Sequence, residues 1–135
     1  MNRREARELL FTLVFEYGFK QEEDFSVVYA SALENREFEE DAYVKSGFEG
    51  IVENVKVIDE KISAHSASWA LSRISKVSLA IMRIAVYEML FCDDIPVNVS
   101  INEALELAKR FDEEKSPKYV NGVLNAIASE RGKND

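Results

Sequence analysis

Several things are scarce in this chain of 135 residues, and each scarcity excludes something. There are five glycines and two prolines, one cysteine, one histidine and one tryptophan. So little glycine and proline leaves little to interrupt helices, and the abundance of Leu, Ala, Glu and Lys favours them. The lone Cys92 excludes an internal disulfide and fits a reducing cytoplasm. One histidine without a Cys-x-x-Cys or His-Glu-x-x-His pattern excludes a recognisable metal site, and no Gly-x-Ser-x-Gly or phosphate-cradling glycine loop is present. No cofactor and no catalytic group is expected. The longest apolar run, Leu79 to Cys92, is too short to span a bilayer and is interrupted by Arg83 and Glu88, so no membrane role is expected.

A surplus of positive charge is also missing. Net charge is −8, which by itself argues against nucleic acid, because phosphate binding needs clustered Lys and Arg. The acidity is local, however. Residues 20–61 hold 12 acidic and 5 basic residues, whereas residues 1–19 hold three of each and residues 62–135 hold 10 acidic and 9 basic. Both ends are free to carry basic patches. With 47% hydrophobic residues the chain can build one substantial core, and its length suggests a single domain over 1–135.

What is present reads as an all-α bundle of about seven helices. Ala6, Leu10, Leu13, Val14 and Tyr17 repeat at helical steps over Arg3 to Tyr17. Short helices are expected at Phe25 to Leu33 and Ala67 to Arg73, the second bringing Trp69 and Leu71 inward. Between them Val44, Phe48, Ile51, Val55, Ile58 and Ile62 predict one long helix over Glu39 to Ala64. Ser75 to Cys92 is apolar on every side and belongs at the centre, which obliges Arg83 and Glu88 to find partners. After Pro96, either Asn98 or Ser100 can cap the next helix, with Glu103 completing a capping box for Ser100. Ala104, Leu107, Ala108 and Phe111 face inward, and Glu106 is placed to pair with Arg110. Ser116-Pro117 starts the last helix, which buries Val120, Val123, Leu124 and Ile127 and ends in a frayed tail from Arg131.

Two clusters could meet a ligand. Arg3, Arg4 and Arg7 share a stripe with Phe11 and Phe15, and arginine with aromatics suits phosphates and unpaired bases of single-stranded RNA. A solvated first turn above two core phenylalanines explains the same pattern. Lys118, Asn121 and Gly122 form the second cluster. A glycine inside a helix costs about 1 kcal/mol against alanine, which suggests that a neighbouring helix or a ligand approaches closely there.

Arg-x-x-Ala-Arg at 3–7, Leu-Ser-Arg-Ile-Ser at 71–75, Met-Arg-Ile-Ala-Val-Tyr-Glu-Met-Leu at 82–90, Ile-Pro-x-x-Val-x-Ile-Asn-Glu-Ala-x-Glu-Leu-Ala-Lys at 95–109 and Tyr-Val-Asn-Gly-Val-Leu at 119–124 resemble the NusB family of bacterial transcription antitermination factors. The resemblance implies two three-helix-like halves sharing one core. It implies binding to single-stranded boxA-type RNA together with NusE, a small-subunit ribosomal protein. It also implies a place in the RNA polymerase elongation complex with other Nus factors, as a cytoplasmic monomer or weak homodimer. Arg3, Arg4, Arg7, Phe15, Lys118 and Asn121 then match RNA contacts, and Phe111, Asp112 and Lys115 the partner contact. Phe15 stands where a tyrosine is common and Lys115 where some relatives are acidic. A helical adaptor that binds only protein, or a helix-turn-helix DNA binder using the Ile101–Ile127 helix pair, remain alternatives.

Overall fold

The structure, a computed structural model, describes residues 1–19, 27, 29–31, 34, 40–66 and 73–134. The described residues are helical and contain no strand. Six helices are bounded among the described residues: α1 Arg3–Tyr17, α2 Ala42–Glu53, α3 Val55–His65, α4 Lys76–Phe91, α5 Val97–Phe111 and α6 Ser116–Asn134. Of the helix expected over Phe25 to Leu33, positions 27 and 29–31 are described and helical, and Tyr29 is buried. The helix expected over Ala67 to Arg73, with Trp69 and Leu71, lies outside the described residues apart from Arg73.

Helix α4 packs against each of the other five. Its sequence explains the position, since Leu79, Ala80, Ile81, Met82, Ile84, Ala85, Val86 and Met89 are all buried and leave no polar face. Its two charges are paired within the fold. Arg83 donates from Nε and Nη2 to Asp59 of α3 at 2.9 and 2.8 Å. Glu88 receives Arg7, Tyr43 and Ser100 from three different helices.

The single helix expected over Glu39 to Ala64 is two. Asn54 has φ −113° and ψ 16°, outside the helical region, and its side-chain amide donates to the Gly50 carbonyl at 2.8 Å. An asparagine side chain that bonds the backbone competes with the helix, and the bend falls there. The apolar seam nevertheless stays buried through Val44, Phe48, Ile51, Ile58 and Ile62.

The capping box expected at Ser100 does not form. Helix α5 begins at Val97 behind Pro96, whose carbonyl accepts from the Val99 and Ser100 N–H groups at 3.0 and 3.2 Å. Ser100 and Glu103 are engaged elsewhere, with Glu88 and Arg4. Helix α6 begins at Ser116 with Pro117 in its first turn, as the sequence suggests, and runs to Asn134.

Candidate nucleic-acid interface

Asn2 caps α1, its side chain accepting from the Glu5 N–H at 2.8 Å, and this fixes where the arginines project. Three arginines that look alike in sequence have three different environments. Arg3 is exposed, with its guanidinium carbon 4.4 Å from the centre of the Tyr43 ring. Arg4 is exposed and grips Glu103 of α5 through Nε and Nη2 at 3.2 and 3.0 Å. Arg7 is buried at 4% exposure and turns the same two nitrogens onto Glu88 at 2.9 and 3.1 Å.

The Arg7 environment corrects the expectation that it contacts RNA. Burial alone would lower its pKa, but the hydrogen bonds and charge of Glu88 outweigh that and raise it. Tyr43 donates to the same carboxylate at 2.5 Å and Ser100 at 2.7 Å, so Glu88 holds four hydrogen bonds from α1, α2 and α5. Burial, then the negative charge of Glu88, pushes the Tyr43 hydroxyl pKa well up, so it remains a donor. Arg7 is thus a structural knot beneath Arg3, whose stacking partner Tyr43 it helps to fix.

Helices α1 and α5 face each other across a groove bridged by three rungs. Arg4 meets Glu103, Arg110 donates to Glu8, and Phe11 stacks on Phe111 with centroids 5.1 Å apart. The cavity between them measures about 230 Å³ and is lined by Arg4, Arg7, Glu8, Glu103, Lys109 and Arg110 among others. Two expectations change here. Arg110 reaches Glu8 on α1, and Glu106 pairs with Lys109 at 3.6 Å instead. Phe111 does not face inward but is 42% exposed, supported from beneath by Phe11.

Phe15 is half-buried in an aromatic row, 6.1 Å from Phe11 and 5.2 Å from Phe19 by ring centroids. Asp112 is engaged at its carboxylate, which accepts from the Ser78 hydroxyl and from the Glu113 N–H. Lys115, Lys118 and Asn121 are exposed. The Asn125 amide donates to the Asn121 carbonyl and side-chain oxygens at 2.9 and 2.7 Å. Lys115 and Lys118 line a mostly apolar cavity of about 440 Å³ with His65, Ser66, Tyr119, Gly122 and Val123. A Cβ at Gly122 would meet nothing within 4 Å, so no neighbouring helix explains that glycine among the described residues.

The candidate residues therefore fall into two clusters whose cavities share no lining residue. One runs along the α1–α5 groove and the other sits on α6. The carboxylates that pair with Arg4 and Arg110 escaped sequence reasoning, because Glu8 and Glu103 sit about a hundred positions from their partners and carry no local signal.

Comparison with known proteins shows the family of the chain. A transcription antitermination protein NusB of Bacillus licheniformis is 45% identical over 130 residues, covering 96% of this chain and 98% of that one. The crystal structure of T. maritima NusB superposes with a TM-score of 0.83 at 38% identity, covering 96% of this chain and 92% of that one. A structure of antitermination factors NusB and NusE in complex with dsRNA shares the fold, with a TM-score of 0.83 at 24% identity over 95% of this chain and 96% of that one. The model of the NusB family matches residues 4–129, nearly the whole chain, including Arg4 and Arg7 of α1 and the Asn121-Gly122 pair within α6, and the chain belongs to that family.

Proposed function

We infer that residues 1–135 act as one RNA-binding unit, a transcription antitermination factor that takes single-stranded boxA-type RNA jointly with NusE. Family membership supports the role, and binding rather than catalysis is its chemistry. The observation that carries the RNA reading is the pair of exposed guanidiniums, Arg3 and Arg4, held in fixed orientations on a protein whose net charge is −8. Arginine in a fixed fork is suited to phosphate, and two or three such contacts give weak binding that a partner must supplement.

On this reading Arg3, Arg4, Lys118 and Asn121 meet the RNA backbone and base edges, and Phe15 stacks on a base. Arg7 acts from beneath, through Tyr43. Phe111 and Lys115 present the edge that meets NusE, with Asp112 fixing the loop between them. The complex then joins elongating RNA polymerase with other Nus factors in the cytoplasm, with this chain entering as a monomer or weak homodimer. No helix among the described residues is long and apolar enough to cross a membrane.

Titrating boxA RNA with and without NusE, at stated salt, tests the reading. Weak binding alone and a gain of at least tenfold with NusE are expected. Arg3→Gln with Arg4→Gln should weaken binding and reduce the magnitude of the salt slope by about 0.7 for each lost phosphate contact. Equal binding of an unrelated RNA of the same length, no gain with NusE, or a preference for duplex DNA would overturn it.

A further inference from the structure

The α1–α5 groove pairs exposed cations with deeper anions. Arg4 and Arg110 have side chains 63% and 62% exposed, whereas Glu103 and Glu8, which hold them, are 20% and 28% exposed. Glu103 engages Arg4 through Nε and Nη2, and Glu8 receives Nη1 of Arg110. A guanidinium has five N–H donors, so each arginine keeps N–H groups free beyond those its carboxylate takes. Orientation is therefore favourable for a phosphate. Charge is not, because a carboxylate in contact cancels most of the positive field that an approaching phosphate would feel.

We propose that Glu8 and Glu103 set the RNA affinity of this protein: they hold the Arg110 and Arg4 guanidiniums in place while cancelling their charge, so that RNA binds weakly until a partner adds contacts. The proposal rests on the RNA reading above and adds Arg110 to the RNA track. It also gives a reason for the groove between α1 and α5 to be nearly neutral. Lys109 lies 3.6 Å from Glu106, but both side chains are exposed, so that pair lacks the deeper anion. The effect is local, since at physiological salt a charge is screened over about 8 Å.

The experiment uses the full chain and a boxA RNA oligonucleotide, with Kd measured from about 0.05 to 0.5 M salt. Glutamine keeps a hydrogen-bond acceptor and removes the charge, so Glu8→Gln with Glu103→Gln separates cancellation from orientation. About three- to tenfold tighter binding is expected at 0.15 M salt, shrinking at high salt, with a salt slope steeper by about one unit. Glu49→Gln with Glu60→Gln, exposed on α2 and α3, makes the same change in net charge away from the groove and should leave Kd within twofold. Adding Arg4→Gln and Arg110→Gln to the Glu8/Glu103 variant should abolish the gain. Circular dichroism establishes that each variant is folded. Unchanged or weaker binding by the Glu8/Glu103 variant, or an equal gain from the Glu49/Glu60 control, overturns the proposal while leaving RNA binding by the wild type intact. Absence of RNA binding by every variant, with and without NusE, overturns the functional reading and this proposal with it.

Discussion

At the scale of single residues the decisive contrast is between Arg4 and Arg7. Both present Nε and Nη2 to a glutamate, but one does so in solvent and the other at 4% exposure. Removing one partner of a buried pair strands the other charge, so Arg7→Ala should cost about 3–5 kcal/mol in urea unfolding. Arg4→Ala should leave the unfolding midpoint unchanged and act on RNA binding alone. Nothing local distinguishes these arginines in sequence. The stripe Arg3, Arg4, Arg7 could be read as one basic patch because helical spacing gives direction around an axis, not depth in the fold. Depth comes from Glu88, 81 positions away, and from Tyr43 and Ser100. The paired state of Glu88 was legible as a requirement of the apolar helix around it, whereas the identity of its partners was not.

At the scale of elements, periodicity served well where packing decides and less well where a side chain competes with the backbone. The seam from Val44 to Ile62 is buried as its spacing predicts except at the half-buried Val55, and Asn54 divides it into two helices. Ser100 and Glu103 have the spacing of a capping box and instead serve Glu88 and Arg4, so a local signal was overridden by tertiary pairing. Helix α6 offers a direct test of its glycine. Gly122→Ala should stabilise the protein by up to about 1 kcal/mol, because the added Cβ meets open space and alanine favours the helix. If the RNA backbone approaches there, the same variant should bind RNA more weakly despite its higher melting temperature. Gly47→Ala should behave oppositely in stability, since its Cβ would lie 2.9 Å from Cδ2 of the buried Leu10.

A second tie at this scale links α3 to α6. Glu130 accepts from Lys61 at 3.0 Å and contacts His65, and its pKa is lowered below its ordinary 4.5, first by the hydrogen bond to His65. A carboxylate with a lowered folded pKa stabilises fully above its unfolded value and loses that contribution as pH falls through the folded one. Melting temperatures of wild type and Glu130→Gln should therefore differ at neutral pH and converge on acidification, as pH falls below the ordinary 4.5 and through the lowered folded value.

At the scale of the molecule, the all-helical bundle and its central helix were legible because an apolar segment without a polar face has only one place to go. The division of candidate residues into an α1–α5 groove and an α6 face was not, since it depends on how α5 lies beside α1. That central helix has a dynamic consequence. Because α4 packs against every other described helix, no subset of the bundle can peel away and leave its amides exposed. Backbone amides from Ile81 to Met89 should exchange with solvent deuterium only through global unfolding, at a common free energy equal to that from denaturant titration. Amides in the first turn of α1, where Arg3 and Arg4 sit, should exchange through local fraying many times faster. Recognition would then occur on the rim that opens most easily, above a centre that opens last.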